Sequence, residues 1–168
     1  MNKDTYQLLP DYSYRGVRAM ILLQDRHLRE FVAACRKAKA LNCPLPVTTD
    51  PAYVSYEALL THILRASRGY LIWLCQKLEV PAPQIDAPPA PEAIEREAEA
   101  YIDYLYACWT AAPLAAIPEE AWNAVHKSRW DVDYSLDAML EHAAMHPIRH
   151  AFQVGEWIQR HNSNPQSK

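Results

Sequence analysis

The sequence predicts an all-α protein that folds as a four-helix bundle, and three observations support this. Four segments of about twenty residues or more carry apolar side chains at helical spacing. Glycine is rare, with 3 residues in 168, whereas the 13 prolines gather between the periodic segments. The sequence shows no convincing alternating strand pattern. We therefore expect one helical domain over residues 1–168, with polar tails at residues 1–14 and 161–168.

Two helices are predicted in the first half of the chain. The first covers residues 16–39 and stops at the segment 42–46, whose two prolines cannot continue a helix. The second is predicted to start at residues 49–51, where a capping residue precedes a proline in the first turn. It runs to Glu79, and a proline-rich connection follows. Both helices carry a long apolar stripe, so each is expected to face a common core.

Two further helices are predicted in the second half. The third starts at Pro91, with the acidic Glu92 in a first turn that the helix dipole favours. A long connection, residues 111–133, is expected to contain a short helix that begins near Pro118. The fourth helix is predicted to be capped by Asp133 or Ser135 and to run to about residue 159.

Composition excludes several classes of function. The net charge of −3 gives no global attraction to nucleic acid or to anionic lipid. The longest uninterrupted apolar run, residues 70–75, is far too short to span a bilayer. The four cysteines lack a C-x-x-C spacing, which argues against a thiolate zinc site or a thioredoxin-like centre. We expect a cytoplasmic protein with reduced thiols and with no membrane or nucleic-acid partner.

The fourth predicted helix places two histidines on its buried face. His146 and His150 lie one helical turn apart, in one stripe with Met139, Val154 and Trp157. Imidazoles in an apolar stripe are costly unless their nitrogens find partners. A divalent metal would satisfy both at once, and His62, at the margin of the inner face of the second helix, is a third candidate ligand. Such a triad leaves coordination positions open for water or substrate.

The histidines can also be explained without a metal, and two further histidines have to be considered beside the predicted three. Inward histidines are often hydrogen-bonded core residues without metal. His142 lies at the edge of the stripe and is expected to be solvated or to support the site, and His27 is a weaker candidate ligand. Pro147 lies between the two central histidines, so the helix is expected to kink there. The sequence contains no Glu-x-x-His pair of the di-iron type, no His-Glu-x-x-His motif and no nucleophile elbow.

Two stretches resemble the DinB-like superfamily. They are residues 59–64, which read LLTHIL, and residues 141–153, which read EHAAMHPIRHAFQ. In that family one histidine of the second helix and an H-x-x-x-H pair of the fourth bind a divalent metal within a four-helix bundle. The resemblance therefore implies that His62, His146 and His150 are the metal ligands. Members often have Arg-Gly-Gln after the last ligand, and here only Gln153 of that motif is shared, while Pro147 replaces a residue that is commonly acidic.

The resemblance also implies a bacterial metalloprotein, often a homodimer, that holds zinc, nickel, iron or manganese. Some members are thiol S-transferases that use a low-molecular-weight thiol, others are metal-dependent hydrolases, and their substrates are small molecules. No carboxylate base is predicted beside the triad, which favours thiol transfer, although no catalytic residue is assigned. The alternatives are a metal-dependent hydrolase, a non-catalytic metal-binding or stress-response bundle, and a helical interaction protein without metal.

Overall fold

The structure, a computed structural model, describes residue 9 and residues 11–163, and this part of the chain is mostly helical. Within it lie four α-helices: α1 (Arg15–Ala40), α2 (Tyr56–Lys77), α3 (Pro91–Ala111) and α4 (Leu136–Ser163). Short 3₁₀ helices occupy Pro51–Tyr53 and Glu119–Asn123, the second at the place predicted beside Pro118. The predicted all-α class is confirmed.

The four helices pack in a bundle-like arrangement around one apolar core. The most extensive contact joins α1 to α4, while α2 packs against both α3 and α4. Trp109, Trp122 and Phe31 are among the largest fully buried side chains. Burying each such side chain stabilises the fold by about 1.5–3 kcal/mol. In the described residues, no helix combines the length and apolar character needed to cross a membrane.

The start of α2 lies further along the chain than the sequence pattern predicted. Asp50 caps the separate 3₁₀ helix, since its carboxylate accepts from the Ala52 N–H at 2.9 Å. The α-helix itself begins at Tyr56, because the Ser55 hydroxyl accepts from the Ala58 N–H at 3.1 Å. Two N-terminal caps in succession thus replace the single predicted one.

Part of each predicted tail belongs to the folded structure. Helix α4 continues to Ser163, beyond the predicted end near residue 159. Near the other end Tyr12 is buried, and the Tyr14 hydroxyl donates to Asp137 at 3.0 Å. The first of these tyrosines therefore adds to the core and the second ties the chain to the start of α4. Tyr6, a third tyrosine of the predicted tail, lies outside the described residues.

A β-hairpin that the sequence pattern did not predict leads into α4. Its antiparallel strands are β1 (Val125–Lys127) and β2 (Asp133–Ser135), with Val125 opposite Ser135. Asp133 is therefore part of a strand, and the helix cap is Ser135, whose hydroxyl accepts from the Ala138 N–H at 3.1 Å. Three residues per strand are too few for an alternating pattern to be recognised. The hairpin loop carries Arg129 and Trp130 towards α2.

Candidate metal centre

Three histidines from two helices meet between α2 and α4. Nε2 of His146 lies 3.4 Å from Nε2 of His62 and 3.2 Å from Nε2 of His150. One nitrogen from each ring lies within 4.8 Å of the other two. His146 and His150 are buried and His62 is partly buried. The structure therefore brings together all three of the histidines predicted from the sequence.

The spacing of these nitrogens fits a single metal ion better than it fits hydrogen bonds. Two imidazoles bound to one tetrahedral zinc, at about 2.0–2.1 Å each, place their nitrogens about 3.4 Å apart. As a hydrogen-bonding atom, Nε2 of His146 has either one proton or one lone pair, yet it faces two other ring nitrogens. A divalent ion would accept a lone pair from each of the three rings. The cluster could therefore hold a metal ion.

Two tyrosines hold the outer nitrogens of the buried pair. The Tyr70 hydroxyl lies 3.1 Å from Nδ1 of His146, and the Tyr53 hydroxyl lies 3.4 Å from Nδ1 of His150. Tyr53 donates its proton to Oε1 of Gln153 at 3.3 Å, so Nδ1 of His150 must carry the proton in that contact. The lone pair of His150 is then on Nε2, towards the other histidines. This is the tautomer that a metal ligand needs.

Pro147 is accommodated by a side chain from the facing helix. A proline has no N–H, so the carbonyl of Ala143, four residues earlier, loses its helical partner. The amide Nε2 of Gln24, buried on α1, donates to that carbonyl at 3.3 Å. Helix α4 stays helical through Pro147, which is itself buried. Gln24 thus supplies the compensation that a proline between two site histidines requires.

Burial and mutual repulsion keep the triad uncharged. Desolvation, followed by the nearby His150 and His62, lowers the pKa of His146 from 6.5 to about 3. Desolvation, followed by His62 and Arg149, lowers the pKa of His150 to about 4, and burial also lowers the pKa of His62. Neutral imidazole is the form that binds metal. At neutral pH the three rings are therefore ready to bind a cation.

A cavity of about 460 Å³ opens beside the triad, and His62 and His146 are among the residues that line it. Its remaining aromatic walls are Tyr70, Trp73, Trp130 and His142. His150 lies away from the cavity, against Phe31 and Tyr53. A ligand in the cavity would therefore approach the triad from the side of His62 and His146.

The other candidate histidines lie outside the triad. The His142 ring stacks on His146 with centroids 5.8 Å apart and lines the cavity, but His142 does not belong to the group of three nitrogens. His27 pairs with Glu30 at 2.7 Å on α1. His126 packs its ring against Trp73, and Nε2 of His161 lies 3.1 Å from the Leu41 carbonyl.

The sequence pattern did not identify the groups that orient the triad. Tyr70 is buried on α2, where a tyrosine at helical spacing is more often a core residue than part of a site. Tyr53 and Gln24 reach the site from other elements, and a pattern within one helix cannot show such contacts. The one available signal was Gln153, the residue shared with the DinB-like motif. Comparisons with protein-family models, curated proteins and solved structures gave no match to this chain.

Proposed function

We propose that this protein is a DinB-like metalloenzyme in which His62, His146 and His150 hold a divalent ion, and that it catalyses transfer of a small thiol. The observation that carries the proposal is the convergence of three imidazole nitrogens within 4.8 Å of one another. Hydrogen bonding alone leaves this cluster unsatisfied. Imidazole nitrogen ligands favour zinc, nickel or iron over manganese, which prefers oxygen.

The chain's own residues prepare the site for such an ion. Tyr53 and Tyr70 fix the orientation of the ligand rings, and Gln153 sets the tautomer of His150 through Tyr53. The bound ion would supply Lewis acidity that lowers the pKa of a thiol or water ligand.

Thiol transfer is favoured because the cavity offers no carboxylate. In the described part of the chain, none of the residues that line it is Asp or Glu. Hydrolysis by an activated water commonly uses a side chain as proton acceptor, whereas a thiol that is already deprotonated needs none. The metal-dependent hydrolase is the second candidate, because His142 lines the cavity and burial lowers its pKa, which keeps it neutral and able to accept a proton.

A purely structural metal site is a weaker alternative. Structural zinc sites are closed by a fourth protein ligand, whereas catalytic sites keep a position open. Within the described residues the cluster contains three histidines and no fourth His, Cys, Asp or Glu. The adjoining cavity supports the same choice, since it gives a small molecule room beside the ligands.

The test is a turnover assay on protein loaded with zinc, nickel or iron. A low-molecular-weight thiol and a bimane halide are supplied, and transfer forms a carbon–sulfur bond, releases halide and gives a fluorescent thioether. We expect thioether formation above the uncatalysed rate with wild type, none above it with His62→Ala, and full activity with His161→Ala. A nitrophenyl ester is assayed in parallel. Ester cleavage without thioether formation would favour the hydrolase over the transferase. If neither product formed, the site would be non-catalytic.

A homodimer is also part of the proposal. Met145 and Phe152 lie seven residues apart on α4, and both side chains are exposed. This spacing places them on one face of the helix, where large apolar side chains are suited to packing against a second copy. Light scattering after size-exclusion chromatography measures the mass directly, and a monomer at all concentrations would contradict this part.

A further inference from the structure

We infer, building on the proposed function, that the cavity selects a thiol that carries an oxyanion group, and that Arg65 and Arg129 bind this group. Both arginines line the cavity that opens beside His62 and His146. The volume of about 460 Å³ suits a small molecule that reaches from the triad to the arginines. Three observations support the inference: the placement of the two guanidinium groups, the absence of carboxylates among the lining residues, and the apolar character of the remaining wall.

The two arginines lie along one face of α2, beyond the metal ligand. His62, Arg65 and Gly69 are spaced by three and four residues, so they share that face. Arg129 reaches the same face from the hairpin loop, because its Nη1 lies 3.6 Å from the position that a Cβ on Gly69 would occupy. At about 1.5 Å per residue, Gly69 lies about 10 Å along the helix from His62. Arg129 is thus about two turns of α2 from His62 and Arg65 about one turn, so one small molecule can reach both the triad and the two arginines.

Neither guanidinium group is paired with another described side chain or backbone group. Arg65 and Arg129 form no ion pair and no hydrogen bond with any residue that the structure describes. None of the described residues that line the cavity is acidic. Each guanidinium can therefore offer two parallel N–H groups to a carboxylate or a phosphate. Two such groups at the wall of a cavity without negative charge attract anions and disfavour cations.

The rest of the cavity wall is mainly aromatic and apolar. Tyr70, Trp73 and Trp130 line it, and Trp130 belongs to the same loop as Arg129. This surface suits the carbon skeleton of a substrate. The preferred ligand accordingly has a thiol at one end, a short apolar middle, and a carboxylate or phosphate at the other.

Calorimetric titration tests the selection. Zinc-loaded protein is titrated with mercaptosuccinate, mercaptoethyl phosphate, neutral mercaptoethanol and cationic cysteamine. We expect at least one of the two anionic thiols to bind about tenfold or more tightly than mercaptoethanol, and cysteamine to bind most weakly. The stronger of the two anions tells whether the group is a carboxylate or a phosphate. Equal affinity for all four thiols would overturn the inference.

Variants locate the anion site and separate it from the metal. In Arg65→Gln and in Arg129→Gln the affinity for the preferred anionic thiol should fall about tenfold, with mercaptoethanol affinity and zinc content unchanged. Arg160→Gln is the matched control, because this exposed arginine near the end of α4 carries the same charge outside the cavity lining. Circular dichroism confirms that each variant is folded. An equal loss in Arg160→Gln, or no loss in the other two, would contradict the assignment.

Succinate has no thiol, so its binding tests the anion site independently of the metal site. Its binding to metal-free protein should depend on Arg65 and Arg129 even if no ion binds to the triad. Stoichiometric zinc together with no arginine-dependent binding of succinate or of either anionic thiol would remove the anion site and leave the metalloenzyme standing. Arginine-dependent succinate binding in a protein that takes up no metal would contradict the metalloenzyme and leave the anion site standing.

Discussion

The α1–α3 side and the α2–α4 side of the molecule use their charged and polar groups in opposite ways. Between α1 and α3, Arg29 contacts Asp103 at 2.7 Å and Arg36 contacts Glu99 at 3.1 Å, while Lys39 pairs with Glu95 of α3 and also with Glu57 of α2. Each of these cations meets a carboxylate. These side chains join neighbouring helices, so their charges are already paired.

Between α2 and α4 the same kinds of groups are left without partners of opposite charge. Three neutral imidazoles face one another, and two arginines line the cavity with no ion pair in the described residues. Burying the imidazoles costs free energy, since buried polar groups need partners. This difference between the two sides agrees with the two proposals, a cation at the triad and an anion at the arginines.

Acid should affect the α2–α4 side most strongly. Because burial lowers the pKa of His146 from 6.5 to about 3 and that of His150 to about 4, the unfolded chain binds more protons than the folded chain between these values. The free energy of unfolding of metal-free protein should therefore fall as the pH drops below 6.5, by up to about 1.4 kcal/mol per pH unit for each histidine. Urea unfolding in a chelator at several pH values measures this slope. His146→Gln should have a shallower slope, and a slope equal to that of wild type would contradict the account.

Removing the tyrosine hydroxyls should weaken the metal site without unfolding it. Tyr70→Phe and Tyr53→Phe each leave one Nδ1 without its partner, so the ligand ring loses orientation and basicity. Metal affinity should fall about 10–100-fold in competition with a chromophoric chelator. The control is Tyr101→Phe, whose hydroxyl donates to the Asp86 carbonyl away from the site. If the control lost as much affinity as the two test variants, the hydroxyls at the triad would have no special role.

A double-mutant cycle should expose the link between Gln24 and Pro147. Gln24→Leu leaves the Ala143 carbonyl buried without a partner and should lower the free energy of unfolding by about 1–3 kcal/mol. In a Pro147→Ala background the alanine N–H can donate to that carbonyl, so the same change should cost at least about 0.5 kcal/mol less. Urea titrations of the four proteins give the coupling energy. Additive effects would mean that Gln24 stabilises α4 in some other way.

The smallest effect is expected on the ion-paired side. Arg36→Gln removes an exposed contact with Glu99 and should change the free energy of unfolding by no more than about 0.5 kcal/mol. Metal content should stay at the wild-type level. A loss of metal in this variant would show that the two sides are not independent.

Helical periodicity was sufficient to predict the helices and much of the site. His146 and His150 share one helix, so their spacing alone placed them on one face. The helix pattern also placed His62 at the margin of the inner face of α2, and the resemblance pointed to the same residue. Gln24 could not be predicted, because its contact depends on how α1 is aligned against α4. Tyr53 belongs to a short 3₁₀ helix without a periodic signal. Arg129 and Trp130 lie on a hairpin whose strands are too short for an alternating pattern.

Metal content is the measurement that tests the central claim most directly. Untagged wild type, His146→Ala and His142→Ala are analysed for their elements after dialysis against zinc, nickel or iron. The account predicts close to one ion per chain in wild type and in His142→Ala, which keeps the triad, and a loss of metal in His146→Ala. A wild-type protein that remains empty in the presence of each metal, or a His146→Ala variant that keeps its ion, would contradict it.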